Sequence, residues 1–228
     1  RRFRQALPGA LEATFGGGEA NVSCSLAMLG DEVRYMTALP RHALADAAVD
    51  QLRGLGVDTG HILRTEEGRL GIYFLEAGAN QRSSLVVYDR ADSAIALTPP
   101  KAYDFDAVLE RVDWVHITGI TPAISEHAFR TTLALAEQAD AQGAMISCDL
   151  NYRKKLWNWD PSADKNELAE RSMAQILPHV DVVVGNEEDA KDVLGIEAEG
   201  TSVEEGIIHA AAYEQVARDI VKRFPDVQ

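Results

Sequence analysis

Short apolar runs alternate with longer helical periods along most of this chain. Glu32-Val-Arg-Tyr-Met-Thr-Ala-Leu39, Val112-Asp-Trp-Val-His-Ile-Thr118, Ala144-Met-Ile-Ser-Cys148 and Val180-Asp-Val-Val-Val184 are apolar or β-branched runs of strand length. Arg41 to Leu55, Ser125 to Gln142 and Pro161 to Leu177 have the length and patterning of helices. This β–α–β rhythm predicts an α/β fold, a parallel sheet covered by helices on both faces.

One interval breaks the rhythm. Leu70 to Ala77 and Ser83 to Arg90 are extended runs joined by Gly78-Ala-Asn-Gln-Arg82, a string of good turn formers. They predict an antiparallel hairpin, a flap or small second sheet set on the main one. Ala6 to Phe15 is expected to add a strand to it. Gly195 to Gly206 is polar and acidic and reads as a surface loop. No internal repeat or low-complexity segment interrupts the pattern.

Composition narrows the class. The chain has 228 residues, 46% hydrophobic and 25% charged, which suits one α/β domain with a small accessory piece. No run of apolar residues is long enough for a membrane-spanning helix. With 22 basic against 36 acidic residues and a net charge of −14, a nucleic-acid groove or an anionic membrane surface is not expected. Two cysteines, Cys24 and Cys148, are too few for a disulfide framework, and free thiols in a reducing cytoplasm are the expectation. The six histidines show no zinc-ligand spacing. The chain opens on Arg1 and runs past an amphipathic segment to Gln228, so further sequence is expected at both ends.

Four polar clusters punctuate the pattern. In open parallel sheets, ligands bind beyond the carboxyl ends of the strands. Gly119-Ile-Thr121, Asp149-Leu-Asn-Tyr-Arg153 and Gly185-Asn-Glu-Glu-Asp189 each follow such a strand end. The fourth, Gly16-Gly-Gly-Glu-Ala-Asn21, opens a helix, where bare backbone N–H groups favour oxygen acceptors. A tight turn with a capping residue accounts for those letters equally well. Neither a Gly-x-Gly-x-x-Gly nor a Walker pattern is present. In the hairpin, period-two alternation puts Ser84, Val86, Tyr88 and Arg90 on one face, with Tyr73 in the partner strand. A phenol and a guanidinium so placed make a carboxylate clamp; the alternative is a surface ion pair of Arg90 with Asp89 or Asp92. Arg153 leads Lys154 and Lys155, a local basic cluster able to draw in an anion. Asn186 suits a helix N-cap, and the carboxylates after it suit a water-mediated Mg²⁺ site.

Taken together, these motifs resemble the ribokinase-like carbohydrate kinases, and within them the branch that acts on 2-keto-3-deoxygluconate. The resemblance spans essentially the whole chain. Gly16-Gly17-x-x-x-Asn21 is similar to the family's sugar-binding glycine motif. Gly71-Ile-Tyr73-Phe-Leu-Glu76 and Tyr88-Asp-Arg90-Ala-Asp-Ser-Ala94 resemble the branch's lid segments, and Asp149-Leu-Asn-Tyr-Arg153 resembles its Asp-x-Asn-x-Arg motif. The resemblance implies a ribokinase-like three-layer α/β/α core with a small β-sheet lid. Residues 1–15 and 70–92 would belong to the lid, and 16–69 and 93–228 to the core. It implies ATP-dependent phosphorylation of a small sugar acid with Mg²⁺, and a homo-oligomer formed through the lid.

Residue by residue, Gly17, Gly18 and Asn21 would contact sugar hydroxyls, and Tyr73, Tyr88 and Arg90 the far end of the substrate with its carboxylate. Arg153 would stand between substrate and nucleotide phosphates, with Asn151 and Tyr152 beside the nucleotide. Asn186 and Asp189 would act on Mg²⁺ and phosphate through water. The family's Asn-x-x-Glu ends here in Asp189, one methylene shorter. The family's Gly-Ala-Gly-Asp loop, which carries the catalytic aspartate, does not occur in these 228 letters; it and the first core strand are expected outside them. A sibling kinase for a neutral sugar and a non-catalytic sugar-acid-binding protein remain as alternatives.

Overall fold

The computed structural model describes residues 2–196 and 210–227. The chain divides into two compact units, Arg1–Leu97 and Thr98–Gln228.

The first unit begins with the short helix α1 (Phe3–Ala6) and continues without regular structure to α2 (Gly18–Leu29). The expected lid strand over Ala6 to Phe15 is not formed. Instead, the Phe3 N–H donates to Glu76 Oε2 at 2.7 Å, which ties the segment to the hairpin through a side chain. Helix α2 ends at Gly30 in the left-handed conformation, φ 104°, a geometry that suits a residue without Cβ. Next come β1 (Thr37–Pro40), α3 (Ala43–Gly54) and β2 (Ile62–Thr65). Strand β1 is shorter than its apolar run, and upstream of it Arg34 makes an isolated parallel bridge to Asp58. Strand β2 was not expected from the sequence; it pairs in parallel with β1, Thr37 opposite Ile62 and Pro40 opposite Thr65. Val49, Leu52, Val57 and Ile62 form the core of this unit, with Ala20, Cys24 and Ala27 of α2 packed on it. The hairpin forms as expected: β3 (Ile72–Glu76) and β4 (Leu85–Asp89) are antiparallel, followed by α4 (Ala94–Leu97).

The second unit carries the β–α–β rhythm. After α5 (Phe105–Leu109), strand β5 (Trp114–Thr118) runs into α6 (Ile120–Ala123) and α7 (Glu126–Ala141). Then come β6 (Met145–Asp149), α8 (Lys165–Ile176), β7 (Val182–Val184), α9 (Glu187–Leu194) and α10 (Ala210–Arg223). The three strands form a parallel sheet in the order β5-β6-β7. Helices α7 and α8 each start where a side chain takes up an orphan backbone donor. Ser125 accepts from the Ala128 N–H ahead of α7, and Asp164 from the Asn166 and Glu167 N–H groups ahead of α8. That cap explains why α8 starts four residues after Pro161. Ile146, Leu168, Ala169, Met173, Ile176 and Leu177 are almost fully buried and make the core. The predicted acidic loop from Gly195 to Gly206 lies largely outside the described residues; Gly195 itself ends α9 in the left-handed conformation.

Candidate functional site

In the first unit, strand register brings the clamp residues together. Tyr73 and Tyr88 stand directly opposite each other in the hairpin. The Arg90 guanidinium lies 5.6 Å from the centre of the Tyr73 ring and 5.0 Å from that of Tyr88. It therefore rests on two aromatic faces, an arrangement that holds a cation while leaving its N–H edge available. The alternative ion pair with Asp89 is not what the structure shows. Asp89 accepts from Arg69, whose Nη1 donates to Oδ1 at 2.7 Å and whose Nη2 lies 2.6 Å from Oδ2. That contact holds the Asp89 carboxyl below its ordinary range. Among the described residues, Arg90 makes no ion pair with any carboxylate.

The glycine turn meets this cluster. A Cβ placed on Gly16 would lie 3.7 Å from the Tyr73 hydroxyl and 3.8 Å from Asn21 Oδ1. Gly17 is the N-cap of α2, with φ 157° and no side chain to donate or accept, and Gly18 opens the helix. Asn21 stands in the first turn, its own N–H given to the Gly17 carbonyl at 2.8 Å. Gly16, absent from the residues expected to bind, thus lies beside the tyrosine hydroxyl. Only the fold could show this, because the contact spans two elements.

In the second unit, the strand ends are sewn to one another through the loop after β6. The Gly119 N–H donates to the Asp149 carbonyl at 2.8 Å, and the Leu150 N–H to the Val184 carbonyl at 2.8 Å. A Cβ on Gly119 would overlap the Leu150 carbonyl oxygen, so this close approach needs glycine. A Cβ on Gly185 would press on the Leu150 side chain. Asn151 turns the chain at φ 39°, in the left-handed region that asparagine tolerates better than most residues.

The residues beyond Asn151 divide in character. Arg153 is exposed, and its Nη1 donates to the Tyr152 carbonyl at 2.8 Å. Lys154 and Lys155 are exposed in a turn, as a solvated loop would have them. Tyr152 departs from expectation. Its side chain is buried, and its hydroxyl donates to Asn166 Oδ1 at 3.3 Å, so the ring packs inside the unit rather than presenting itself to a nucleotide. Burial and the nearby charges of Asp192 and Asp164 push the phenol upward from its ordinary value.

Asn186 and Asp189 form a capping box at the start of α9. Asn186 Oδ1 accepts the Asp189 N–H at 2.8 Å, and Asp189 Oδ2 accepts the Asn186 N–H at 3.3 Å. Asp189 Oδ1 also accepts the Tyr152 N–H at 2.9 Å. Asp189 is only 9% exposed, with both oxygens engaged by backbone donors. This pair does not fit a metal as direct ligands. Among the described residues no group of three or more His, Cys, Asp or Glu side chains is placed to hold a metal ion. Asp149, at the end of β6, has its carboxyl pushed up from the ordinary range, first by burial and then by the charge of Asp189.

Comparison with known proteins extends these observations. Residues 4–222 match the model of the pfkB family carbohydrate kinases. A 2-dehydro-3-deoxygalactonokinase of Haloferax volcanii is 32% identical over 193 residues, covering 85% of this chain and 58% of that protein. A 2-dehydro-3-deoxygluconokinase of Thermoproteus tenax is 30% identical, covering 81% of this chain and 54% of that protein. The crystal structure of a 2-dehydro-3-deoxygluconokinase from Thermotoga maritima superposes with a TM-score of 0.88 at 38% identity, over 98% of this chain and 64% of that one. The chain therefore spans between half and two thirds of the length of these proteins. Among the described residues, no helix is long and apolar enough to cross a membrane.

Proposed function

The chain belongs to the pfkB family of carbohydrate kinases, and from that premise we propose that its protein phosphorylates 2-keto-3-deoxygluconate at the terminal hydroxyl, with ATP as donor. The observation that carries the substrate is the Arg90 guanidinium laid over Tyr73 and Tyr88 with no carboxylate partner among the described residues. A charge kept in that state suits the carboxylate of a ligand, and a neutral sugar has no use for it. Relatives named for 2-dehydro-3-deoxy sugar acids support it: two are named for 2-dehydro-3-deoxygluconate, which is 2-keto-3-deoxygluconate under another name, and one for the epimeric galactonate.

In this reading, Asn21 and the backbone of Gly17 and Gly18 bind sugar hydroxyls, the Gly16 turn leaves room beside the Tyr73 hydroxyl, and Tyr73, Tyr88 and Arg90 hold the acid end. Asn151 and Arg153 serve the nucleotide side, where the exposed guanidinium of Arg153 stabilises charge on the transferring phosphoryl group. Asn186 spends its side-chain oxygen on its helix and has its amide nitrogen left for a phosphate oxygen. The hairpin covers the sugar and keeps water from competing as acceptor. Family membership implies ATP use and usually a divalent metal; Mg²⁺ is the metal we propose. The base that takes the hydroxyl proton is proposed to lie in a Gly-Ala-Gly-Asp loop outside these 228 residues.

The test separates a kinase from a sugar-acid-binding protein. The complete gene product, given Mg²⁺-ATP and 2-keto-3-deoxygluconate, is expected to yield the 6-phospho product by phosphorus NMR. Binding of the sugar acid without any transfer would favour the non-catalytic alternative.

The hairpin also supports self-association. Ile72, Phe74, Leu85 and Val87 share the face turned away from the tyrosines and are all more than a third exposed. We propose that this face pairs with that of a second copy, because an apolar patch on a strand pair is unstable in water. Sedimentation of a Val87→Glu variant with the same mass as the parent would remove the proposal. Cys24 and Cys148, neither of them in a disulfide, suit a reducing, cytoplasmic setting.

A further inference from the structure

We propose that Asp189 is a positioning residue, whose carboxylate fastens the loop after β6 to the N-terminus of α9 and thereby sets the place of Arg153. The fastening is a continuous set of hydrogen bonds. One carboxylate oxygen accepts the Tyr152 N–H at 2.9 Å, and the other accepts the Asn186 N–H at 3.3 Å. Asn186 returns the bond by accepting the Asp189 N–H at 2.8 Å, which fixes the acid relative to its helix. On the loop side, the carbonyl of the same Tyr152 accepts Arg153 Nη1 at 2.8 Å. The arginine that faces solvent is therefore held by the backbone of a residue that Asp189 holds from inside.

The chemistry makes this tie firm. Backbone donors to a carboxylate form the charge-assisted kind of hydrogen bond, and burial removes water as a competitor. Tyr152 and Asp189 are 8% and 9% exposed. The first half of the loop has its own attachments, Asp149 to Gly119 and Leu150 to Val184. Beyond the left-handed turn at Asn151, Asp189 holds the next N–H, that of Tyr152. The side-chain length follows. With α9 fixed by its capping box, a glutamate would carry its carboxylate one methylene past the Tyr152 N–H. Aspartate stands at this position, where the resemblance expects glutamate, and its carboxylate meets the loop at 2.9 Å.

The experiment measures amide exchange in the complete gene product and in its Asp189→Asn and Asp189→Ala variants, with no ligand added. Loss of the bond is expected to speed exchange of the Tyr152 amide by about 10- to 150-fold in Asp189→Ala, and by less in Asp189→Asn, which keeps one oxygen. Amides of α7 should keep their protection. Unchanged Tyr152 exchange with α7 protected would overturn the proposal, and so would loss of protection throughout in both variants, since the role claimed is local. A kinetic arm uses the same proteins. Asp189→Asn should lower kcat and leave the sugar-acid KM unchanged, with no further loss of kcat in an Arg153→Ala background; fully additive losses would show that Asp189 does not act through Arg153. The kinetic arm rests on the proposed activity and the exchange arm does not, so the two can fail separately.

Discussion

Replacing Arg90 by alanine removes the feature on which the proposed acid specificity rests. The guanidinium is preorganised by two tyrosine rings at 5.0 and 5.6 Å, and the neighbouring Asp89 is occupied by Arg69. A ligand carboxylate would therefore gain its bond without first displacing a carboxylate partner among the described residues. A hydrogen bond to a charged group is worth about 1.5–3 kcal/mol, which corresponds to a KM for the sugar acid raised roughly 10- to 150-fold. The KM for ATP should not move, because none of the residues proposed for the nucleotide belongs to the hairpin. Arg90→Lys keeps the charge but loses the planar fork, and is expected to fall between parent and alanine variant. Loss of the two ring contacts costs about 0.5–1 kcal/mol each at a partly exposed site, so both variants should stay folded. Steady-state kinetics in each substrate, with a thermal unfolding curve for each protein, make the measurement. A folded Arg90→Ala protein with an unchanged sugar-acid KM would refute the reasoning.

Two other predictions follow from packing and burial. Gly119→Ala must move the Leu150 carbonyl and with it the loop that carries Arg153, at a cost of about 1–3 kcal/mol seen as a lowered melting temperature and reduced turnover; parental stability would show that the loop yields freely. Tyr103 is buried, and desolvation pushes its phenol from 10 to about 12, so the fold holds the proton more tightly than the unfolded chain does. Stability from this group is intact below pH 10 and drains away toward about pH 12, by about 3 kcal/mol. Denaturant unfolding above and below pH 10 should show that loss in the parent and not in Tyr103→Phe.

How much of this was legible in the sequence depended on how local each signal was. Strands β5, β6 and β7 announce themselves as apolar runs cut off by polar residues, and the hairpin by two extended runs about a turn. Strand β2 did not, because Ile62-Leu-Arg-Thr65 is four residues with two apolar side chains, and its pairing with β1 makes it a strand. The strand expected over Ala6 to Phe15 does not form, and the tie that the chain makes just ahead of it, from Phe3 to Glu76 73 positions away, leaves no local mark. The hairpin clamp was legible because period two fixes which side chains share a face. The partner of Asp89 was not, since Arg69 is brought to it by the fold. Asp189 shows the same limit most sharply. Its capping role can be read from Asn186-Glu-Glu-Asp189, but its bond to Tyr152 spans 37 positions and leaves no mark in either motif.

The central claim is that the clamp selects an acid, and the ratio of kcat/KM for 2-keto-3-deoxygluconate to that for fructose tests it most directly. Measured on the complete gene product with Mg²⁺-ATP, the ratio should strongly favour the sugar acid, and it should collapse toward the neutral sugar in Arg90→Ala. Fructose preferred by the parent protein, or a ratio untouched by the substitution, would contradict the account while leaving the family assignment in place.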